Sequence, residues 1–319
     1  MKDSRFGERR VLILTDGKAG HENQSKAFVR ALGCSFDLVA VRFRGKLAKA
    51  ASYVLDRLGV KCLGLLEFPG NPGFLGSPGR GYSAVVGTGS GTFYAAKALA
   101  RRLGVRCGVV LTPSGYDLST FDCILSPSFD NPPKMPNIVE IPANLVANDE
   151  AFYEKGVAAF RERHAPGGRD AVAVIVGGPN KCSTMTAEWM KGELDRIFAD
   201  NAGCEFWVTT SRRTPADVEA VVDSFPFDYK LLYSKDHFNP IPAFVKLAKR
   251  LYVTAESTGM LSEAATFGAA EVFALDNLNP GPHKFRRFVD GLRSGGYVDG
   301  SRKIDLSAQF ESARRLMGL

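Results

Sequence analysis

The segment VLILTDGKAGHENQS, residues 11–25, decides the fold class of the first half of the chain. Four successive apolar residues are typical of a buried strand, and two glycines among polar side chains follow before a helical segment begins. Glycines let the backbone approach a ligand, and free N–H groups at a helix start attract anions. The segment is not a P-loop, because the GxxxxGK[ST] spacing is absent. A tight turn in which His21 caps the helix is the alternative interpretation.

The same alternation of strand and helix continues through the first half of the chain. Buried strands separated by helices indicate a parallel sheet that is covered on both faces. The segment HAPGGR, residues 164–169, is the best linker candidate in the sequence. Strands are predicted at residues 9–15, 36–42, 82–88, 106–112, 123–127 and 137–142, and helices at 23–32, 47–58, 91–103 and 149–163.

The pattern then restarts and predicts a second sheet. Its strands are expected at residues 171–178, 205–211, 229–234, 250–257 and 270–275, and its helices at 186–200, 215–224, 242–249, 260–267 and 284–292. We therefore predict an α/β protein with two doubly wound Rossmann-like domains that face each other across a cleft. The predicted domains are residues 1–165 and 166–305, and a C-terminal helix in residues 306–319 is expected to pack back on the first domain.

The composition limits the class of protein. A chain of 319 residues is long enough for two domains, and its 45% hydrophobic and 24% charged residues are those of a soluble globular protein. It has no apolar run of membrane-spanning length, and the N-terminal MKDSRFGERR has no apolar signal region. Six scattered cysteines without CxxC pairs indicate a reducing compartment and argue against zinc. A cytoplasmic location is therefore expected.

The formal charge of +7 suits an anionic substrate, an anionic membrane face or nucleic acid, and plain solubility explains it equally well. One basic segment, residues 45–61, has an apolar stripe at helical spacing. The favoured interpretation is a crossover helix packed on the sheet with its basic residues in water. The alternative is an interfacial patch that collects a lipid-linked acceptor. The residues concerned are Leu47, Ala51, Val54 and Leu58, with Lys46, Lys49, Arg57 and Lys61 among them.

Ligands of doubly wound sheets bind beyond the carboxyl ends of the strands, so the strand exits are the candidate sites. At the first exit, Asp16 and His21 can transfer protons and Lys18 adds positive charge. The second exit, GTGSGT at residues 87–92, lacks the GxGxxG spacing and has no acidic partner about twenty residues later. It is not a nucleophile elbow, because threonines flank Ser90 at two residues on each side. A phosphate or sugar contact and a plain helix-start turn both fit this segment.

Three further exits belong to the second half. Gly177 and Gly178 follow its first strand, and TTSRRTP, residues 209–215, follows the next. Ser211 or Thr214 is expected to cap the helix that Pro215 begins. The two arginines of this segment form a possible diphosphate clamp, with solvated side chains as the alternative. In ESTGMLSE, residues 256–263, hydroxyls and amides at a helix start suit a phosphate, and the final glutamate suits the hydroxyls of a ribose.

The segments DGKAGHENQS, IVGGPN, TTSRRTP and VTAESTGMLSEAATFGAAEVFAL together resemble the ELM-type mitochondrial-fission family of predicted glycosyltransferases. The resemblance extends over nearly the whole chain. The family is similar in turn to GT-B enzymes such as the lipid II-forming GlcNAc transferase of peptidoglycan synthesis. The resemblance implies an acceptor-side loop at Gly17, Gly20 and His21, a second glycine loop at Gly177 and Gly178, and a nucleotide-binding helix marked by Ser257, Gly259 and Glu263.

Two residues depart from the patterns expected by this resemblance. Lys18 stands where the peptidoglycan enzyme usually has a small residue, and Glu256 stands where the family is expected to have Asp. No Asp-x-Asp motif occurs in the sequence, which agrees with the metal-independent chemistry usual for GT-B folds. In such chemistry, arginines, a helix dipole and backbone amides neutralise the departing diphosphate.

We predict a metal-independent glycosyltransferase without a cofactor, which moves a sugar from a nucleotide-diphosphate donor to an acceptor such as a cell-envelope glycolipid or polysaccharide. Peripheral contact with an anionic membrane at its inner face is expected, and a nucleic-acid partner is not. Asp16 and His21 are the predicted catalytic residues, with the identity of the base left open. The predicted substrate-binding residues are Gly17, Lys18, Gly20, Asn23, Gln24, Thr88, Gly89, Gly177, Gly178, Ser211, Arg212, Arg213, Ser257, Thr258, Gly259, Met260 and Glu263.

Two other functions are compatible with the same architecture. One is a non-catalytic adaptor that keeps the GT-B shell, as the resemblance to the plant members implicated in mitochondrial fission implies. The other is a nucleotide-sugar epimerase. The presence of His21, Arg212 and Glu263 favours catalysis, because an adaptor does not need all three.

Overall fold

The computed structural model describes residues 9–70 and 81–319. The N-terminal segment for which the sequence predicts no signal region lies almost entirely outside these residues. The chain divides into two compact units, of which the first contains the described residues up to Ile141 together with Leu306–Leu319. The second unit is Pro142–Asp305. In the described part of the chain, no helix is long and apolar enough to cross a membrane.

The first unit is built on a six-stranded parallel sheet. In chain order the strands are β1 (Arg10–Thr15), β2 (Ser35–Ala40), β3 (Arg42–Phe43), β4 (Leu66–Glu67), β5 (Tyr82–Thr88), β6 (Arg106–Val110), β7 (Cys123–Pro127) and β8 (Ile138–Ile141). The sheet has the order β2-β1-β5-β6-β7-β8, and β3 and β4 form a separate antiparallel pair. From β1 the chain adds β2 on one side, and from β5 onward it adds strands on the other side. The position between β1 and β5 is therefore the switch point of this sheet, where the strand order reverses.

Three helices of this unit are α1 (Ala19–Ala31), α2 (Lys46–Arg57) and α3 (Phe93–Leu103). Helix α1 buries Phe28 and Val29, and α3 buries almost every side chain of its first two turns. Helix α3 ends at Gly104, which takes the left-handed conformation that L side chains rarely adopt. The core of the unit lies between helices α1 and α3 and the apolar strands β1, β5 and β6.

The second unit has a five-stranded parallel sheet of order β11-β10-β9-β12-β13. Its switch in strand order falls between β9 and β12. The strands are β9 (Ala171–Ile175), β10 (Glu205–Thr209), β11 (Tyr229–Leu231), β12 (Arg250–Thr254) and β13 (Glu271–Leu275). The helices are α4 (Glu150–Arg161), α5 (Ala187–Asp200), α6 (Ala216–Ser224), α7 (Ile241–Leu247), α8 (Thr258–Thr266) and α9 (Lys284–Ser294). The prediction of an α/β protein with two doubly wound sheets is confirmed.

The chain divides between the units at Ile141, ahead of α4, whereas the sequence analysis placed the boundary at residue 165. Helix α4 belongs to the second unit because its Phe160 ring lies 5.1 Å from Trp207 and 5.8 Å from Phe244. The segment with linker composition is a turn within that unit. There the Glu205 carboxylate accepts hydrogen bonds from Gly167 N and pairs with the His164 imidazole.

The C-terminal helix α10 (Ser307–Met317) lies in the first unit, where it contacts β6, β7 and β8. Its last side chain, Met317, is buried against Gly108, and a Cβ at that glycine would lie 2.8 Å from the Met317 methyl carbon. Arg314 donates a hydrogen bond to the carbonyl of Ala31 at the end of α1. The C-terminal helix is therefore part of the same sheet-and-helix unit as α1 and strands β6–β8.

Helix α2 does not pack its apolar stripe on the sheet, which the favoured interpretation of this segment required. Leu47, Val54 and Leu58 are exposed, and the buried residues of α2 are Ser52 and Asp56. Lys61 does not lie free in water either, since its Nζ lies 2.6 Å from the Asp56 carboxylate and its side chain is only 8% exposed. The sequence predicted the apolar stripe of α2 correctly, but it did not predict that this stripe faces solvent.

A buried ionic network holds α2 in this orientation. The Asp56 carboxylate accepts hydrogen bonds from Lys97 Nζ at 2.8 and 2.9 Å, from Lys61 Nζ at 2.6 Å and from the Asp117 backbone N–H at 2.8 Å. Lys97 Nζ also lies 4.0 Å from the centre of the Phe121 ring. Burial raises the pKa of Asp56, but the hydrogen bonds from the two lysines outweigh it and hold this pKa below its usual range.

We expect Lys97→Met to lower the free energy of unfolding by about 3 kcal/mol at neutral pH, because it leaves a buried carboxylate with one of its two cations. The loss should shrink as the pH falls below about 4, where a protonated Asp56 no longer needs that partner. Urea denaturation at several pH values measures both effects. The control is Lys191→Met, which removes an exposed pair with Asp195 and should cost less than about 0.5 kcal/mol. Equal losses in the two variants would contradict the assignment.

Candidate functional site

The switch point of the first sheet joins an acidic residue to a histidine. Asp16 follows β1 directly, and His21 is the third residue of α1. His21 Nδ1 lies 3.1 Å from both carboxylate oxygens of Asp16. Both side chains keep limited contact with solvent, with exposed fractions of 11% for Asp16 and 26% for His21. The structure therefore brings the two predicted catalytic residues together as a hydrogen-bonded pair. The alternative in which His21 caps the helix does not hold, since its ring contacts Asp16 from within the first turn.

The glycine-rich turn after β5 packs directly against this pair. A Cβ at Gly89 would lie 2.3 Å from Cε1 of His21, and Gly89 has φ of +83°. A Cβ at Gly91 would lie 2.8 Å from the Asp16 Cβ. Thr88 is buried and its hydroxyl lies 2.7 Å from that of Ser25, so its side chain ties β5 to α1. Gly89 and Thr88 thus make packing contacts within the protein. That they also contact a substrate stays a prediction.

The remaining predicted residues of this corner line the start of α1. Gly17 has φ of +82°, and its N–H donates to the Thr15 hydroxyl at 3.1 Å. Lys18 precedes the helix, and its Nζ lies 3.5 Å from Asp16 Oδ2. Gly20 and Asn23 are exposed on the helix surface, and Gln24 is half-buried. These residues surround the Asp16–His21 pair with polar groups and one exposed cation.

One contact at this corner was not predicted. Lys49 of α2 donates from its Nζ to the Ser90 hydroxyl at 3.0 Å. The sequence analysis placed Lys49 only in a basic surface segment, and nothing in the sequence relates it to a residue of the β5 turn. The contact between Lys49 and Ser90 can be recognised only when the structure shows which side of α2 is buried.

The switch point of the second sheet is built around Glu256, which the sequence analysis noted only as a departure from the family pattern. Glu256 follows β12 and is 2% exposed. Its Oε1 accepts from Gly178 N at 2.7 Å, and its Oε2 accepts from Asn277 Nδ2 at 2.7 Å. Gly177 N donates to the Thr254 hydroxyl at 2.8 Å. Burial raises the pKa of Glu256 above its usual range, although these donors act in the opposite direction.

Gly177 and Gly178 therefore use their N–H groups within the protein. A Cβ at Gly177 would lie 2.1 Å from Glu256 Oε1, and one at Gly178 would lie 2.2 Å from the Arg213 carbonyl oxygen. Close packing of the chain at this edge requires both glycines. The sequence suggested that this loop offers its backbone to a ligand, but these two N–H groups are already taken.

Helix α8 begins beside Glu256. Ser257 precedes the helix and makes no capping hydrogen bond with its side chain. The backbone of Thr258 donates to the Glu256 carbonyl, and the first turn leaves the amides of Gly259 and Met260 without intrahelical partners. One turn further, Glu263 Oε1 accepts from the Tyr153 hydroxyl at 2.9 Å and from Asn148 Nδ2 at 3.3 Å.

These two hydrogen bonds limit which carboxylate oxygen of Glu263 can make the predicted contact with a ribose. Burial raises the pKa of Glu263, while Tyr153 and Asn148 lower it by donating to the carboxylate. Since both partners meet Oε1, a ribose hydroxyl would bind at Oε2. Neither Tyr153 nor Asn148 was predicted, because both lie ahead of the boundary at which the sequence analysis began the second domain.

The turn after β10 differs from its prediction. Thr214 does not cap α6, because its hydroxyl accepts from Ser211 N at 2.8 Å and donates to the Gly177 carbonyl at 2.6 Å. Arg212 and Arg213 are exposed. Arg212 lines a groove of about 490 Å³ between α6 and residues 232–237, in which the Tyr233 and His237 rings stack at 4.5 Å. The described residues contain no group of three or more His, Cys, Asp or Glu side chains arranged to hold a metal ion.

We expect Gly89→Ala to separate His21 from Asp16, because the new methyl group would occupy the position of the imidazole and because φ at this residue is positive. The free energy of unfolding should fall by about 1–3 kcal/mol. Urea denaturation gives the stability, and the histidine proton resonances report the displaced ring. Gly192→Ala is the matched control, since a Cβ there meets nothing within 4 Å and the residue lies in the middle of α5. That change should be neutral or stabilising by up to about 1 kcal/mol. An undisturbed His21 resonance in Gly89→Ala would contradict the packing.

The overall fold is similar to that of many solved structures, and two of them serve as examples. A Listeria monocytogenes protein assigned as a UDP-N-acetylglucosamine 2-epimerase matches with a TM-score of 0.54 and 12% identity, covering 98% of this chain and 89% of that one. The UDP-GlcNAc 2-epimerase of Methanocaldococcus jannaschii matches with a TM-score of 0.51 and 11% identity, covering 97% and 98%. At this identity the likeness establishes the fold, two Rossmann-like domains of the GT-B type.

Two sequence comparisons concern relatives. An uncharacterized protein of Rickettsia prowazekii is 28% identical over 160 residues, which cover 48% of this chain and 44% of that protein. The matched part is thus less than half of that relative's length. The profile of the family described as Mitochondrial fission ELM1 matches residues 19–313, nearly the whole chain. The chain therefore belongs to the mitochondrial fission ELM1 family.

Proposed function

We propose that this protein is an enzyme that uses a nucleotide-diphosphate sugar and transfers the sugar to an acceptor hydroxyl. The proposal rests on the side chains and backbone groups that lie at the two switch points. A hydrogen-bonded Asp16–His21 pair stands at the first, and a helix start with hydroxyls, amides and the half-buried Glu263 follows the second. The first set suits proton transfer, and the second suits a nucleotide diphosphate.

The second unit would hold the donor. The positive end of the α8 dipole, the Ser257 hydroxyl and the amides of Gly259 and Met260 are the groups proposed to bind the diphosphate. Glu263 would accept a ribose hydroxyl at Oε2. The exposed Arg212 and Arg213 are proposed to add positive charge when the diphosphate leaves. The buried Glu256 would act indirectly, by fixing Gly178 and hence the turn that precedes α5.

The first unit would bind the acceptor. In a direct displacement the acceptor oxygen forms a bond to the sugar carbon while the bond from that carbon to the diphosphate oxygen breaks. A base has to take the hydroxyl proton in this step. Because Nδ1 of His21 faces Asp16, the proton would go to Nε2, and the Asp16 carboxylate would stabilise the resulting imidazolium. Lys18 would contact a polar or anionic part of the acceptor.

An epimerase is the second candidate, because two of the structures similar in fold, with TM-scores of 0.54 and 0.51, are a protein assigned as a UDP-N-acetylglucosamine 2-epimerase and a UDP-GlcNAc 2-epimerase. A fold alone does not fix the reaction. The products separate the candidates when the protein is incubated with UDP-, GDP- and ADP-sugars. An epimerase changes the sugar without an acceptor, and a transferase releases the nucleoside diphosphate as a sugar-acceptor product forms. An adaptor without catalysis does neither.

For the donor, we expect Glu263→Ala to weaken nucleotide-sugar binding by about 1–3 kcal/mol, or about 5- to 150-fold, as for an ionic hydrogen bond lost in a pocket. Calorimetric titration with the nucleotide-sugars above measures the change. Tyr153→Phe, which removes one hydrogen bond to the same carboxylate, should have a smaller effect. Glu271→Ala on β13 is the control and should bind as the parent protein does. If Glu263→Ala kept full affinity while its urea transition stayed intact, the nucleotide would bind elsewhere.

For the acceptor side, we expect Asp16→Asn and His21→Gln each to lower turnover about 10²- to 10⁴-fold, the usual contribution of a positioned acid or base. The pH dependence of turnover should flatten in His21→Gln, because the glutamine side chain cannot take up the acceptor proton. Affinity for the nucleotide-sugar should stay unchanged, because the proposed donor residues belong to the second unit. Full activity with the parental pH profile in both variants would reduce this corner to a structural turn.

A further inference from the structure

Helix α2 exposes an apolar face that the proposed function does not use. Leu47, Val54 and Leu58 have exposed fractions of 87%, 60% and 69%, the highest among the large apolar side chains of residues 9–70 and 81–319. Their spacing of seven and four residues places all three on the same side of the helix. We call this surface the α2 face. Val60, just beyond it, is also exposed.

The charges around the α2 face are positive. Lys46 and Arg57 are exposed at the two ends of the helix, whereas the guanidinium of Arg44, just before it, lies 3.7 Å from the Glu67 carboxylate. The single acidic residue of α2, Asp56, points away and is buried between Lys61 and Lys97. The helix therefore offers apolar side chains flanked by cations, without an accessible carboxylate of its own. This is the pattern of helices that lie in the boundary between the headgroups and acyl chains of an anionic bilayer.

The opposite side of α2 is firmly attached to the unit. Besides the Asp56 network, the Ser52 hydroxyl lies 2.9 Å from the Tyr116 hydroxyl, and the Tyr53 and Tyr116 rings lie 4.6 Å apart. The exposure of the α2 face is thus a property of a packed helix with a defined orientation. The inward side of α2 consists of Ser52 and Asp56 with the partly buried Tyr53 and Leu55, and Leu47, Val54 and Leu58 lie on the outward side.

We propose that the α2 face docks this protein on an anionic lipid bilayer. The positive charges would attract the headgroups, and the three apolar side chains would enter the boundary region. The docked helix also contacts the candidate acceptor corner, since Lys49 donates to Ser90, which lies between the two glycines packed on His21 and Asp16. Docking itself does not depend on the proposed reaction, so the two proposals can fail separately.

Flotation with unilamellar vesicles tests this proposal on the full chain. The protein should float with equimolar phosphatidylglycerol and phosphatidylcholine, and less with phosphatidylcholine alone. Raising the salt from about 0.1 to 0.5 M should weaken the anionic binding, because salt screens the attraction. The triple variant Leu47→Ser, Val54→Ser, Leu58→Ser should lower the partition coefficient at least tenfold. Lys46→Glu with Arg57→Glu should abolish the preference for anionic vesicles.

The matched control is Leu38→Ser with Phe152→Ser, which removes exposed apolar side chains from other elements and should leave flotation unchanged. Urea transitions of all variants confirm that they fold. A parent protein that stays in the unbound fraction overturns the proposal, as does equal flotation of the folded triple variant. If the parent protein is instead a dimer that the triple variant dissociates in sedimentation equilibrium, the α2 face joins two copies of this chain and the bilayer proposal is wrong.

Discussion

Each strand of the two large sheets runs parallel to its neighbours, and this constraint determines where the polar residues of the chain collect. Parallel strands end at a common edge, and helices must begin there to return the chain. At the points where strand order reverses, two such exits lie side by side. The chain is so crowded at both points that side chains have no room at Gly89 and Gly177. Glycine at these exits is needed for packing even before any ligand is considered.

The two switch points use an acidic residue in opposite ways. Glu256 is 2% exposed, and Gly178, Thr254 and Asn277 direct hydrogen bonds to its carboxylate, so its acceptor capacity is consumed inside the protein. Asp16 meets an imidazole and a lysine while keeping contact with solvent. A carboxylate that is enclosed by fixed hydrogen-bond donors holds the surrounding chain in place. A carboxylate that is hydrogen-bonded to a histidine and reaches solvent can take part in proton transfer. Burial and partner type, more than residue type, separate these roles.

The sequence predicted what depends on local pattern. Hydrophobic runs and turn residues located the strands, and the strand ends located the Asp16–His21 pair and the start of α8. It could not predict the contacts that depend on tertiary packing. Asp56 and Lys97 are 41 residues apart and have no pattern in common. Gly177 and Gly178 have the composition of a ligand loop, but Thr254 and Glu256 occupy their amides. The sequence of helix α4 does not indicate which unit the helix joins. The contact between its Phe160 ring and Trp207 places it in the second unit.

The orientation of α2 shows why an amphipathic pattern alone is ambiguous. A helix usually buries its apolar stripe, because removing apolar area from water stabilises the fold. Here the buried side carries Ser52 and Asp56 beside the partly buried Tyr53 and Leu55, and two lysines and a backbone N–H compensate the desolvation of Asp56. The same network turns Leu47 outward and directs Lys49 toward Ser90. The exposed apolar face and the contact with the candidate acceptor corner thus both depend on this orientation of α2, and both would be lost if the helix rotated to bury Leu47, Val54 and Leu58.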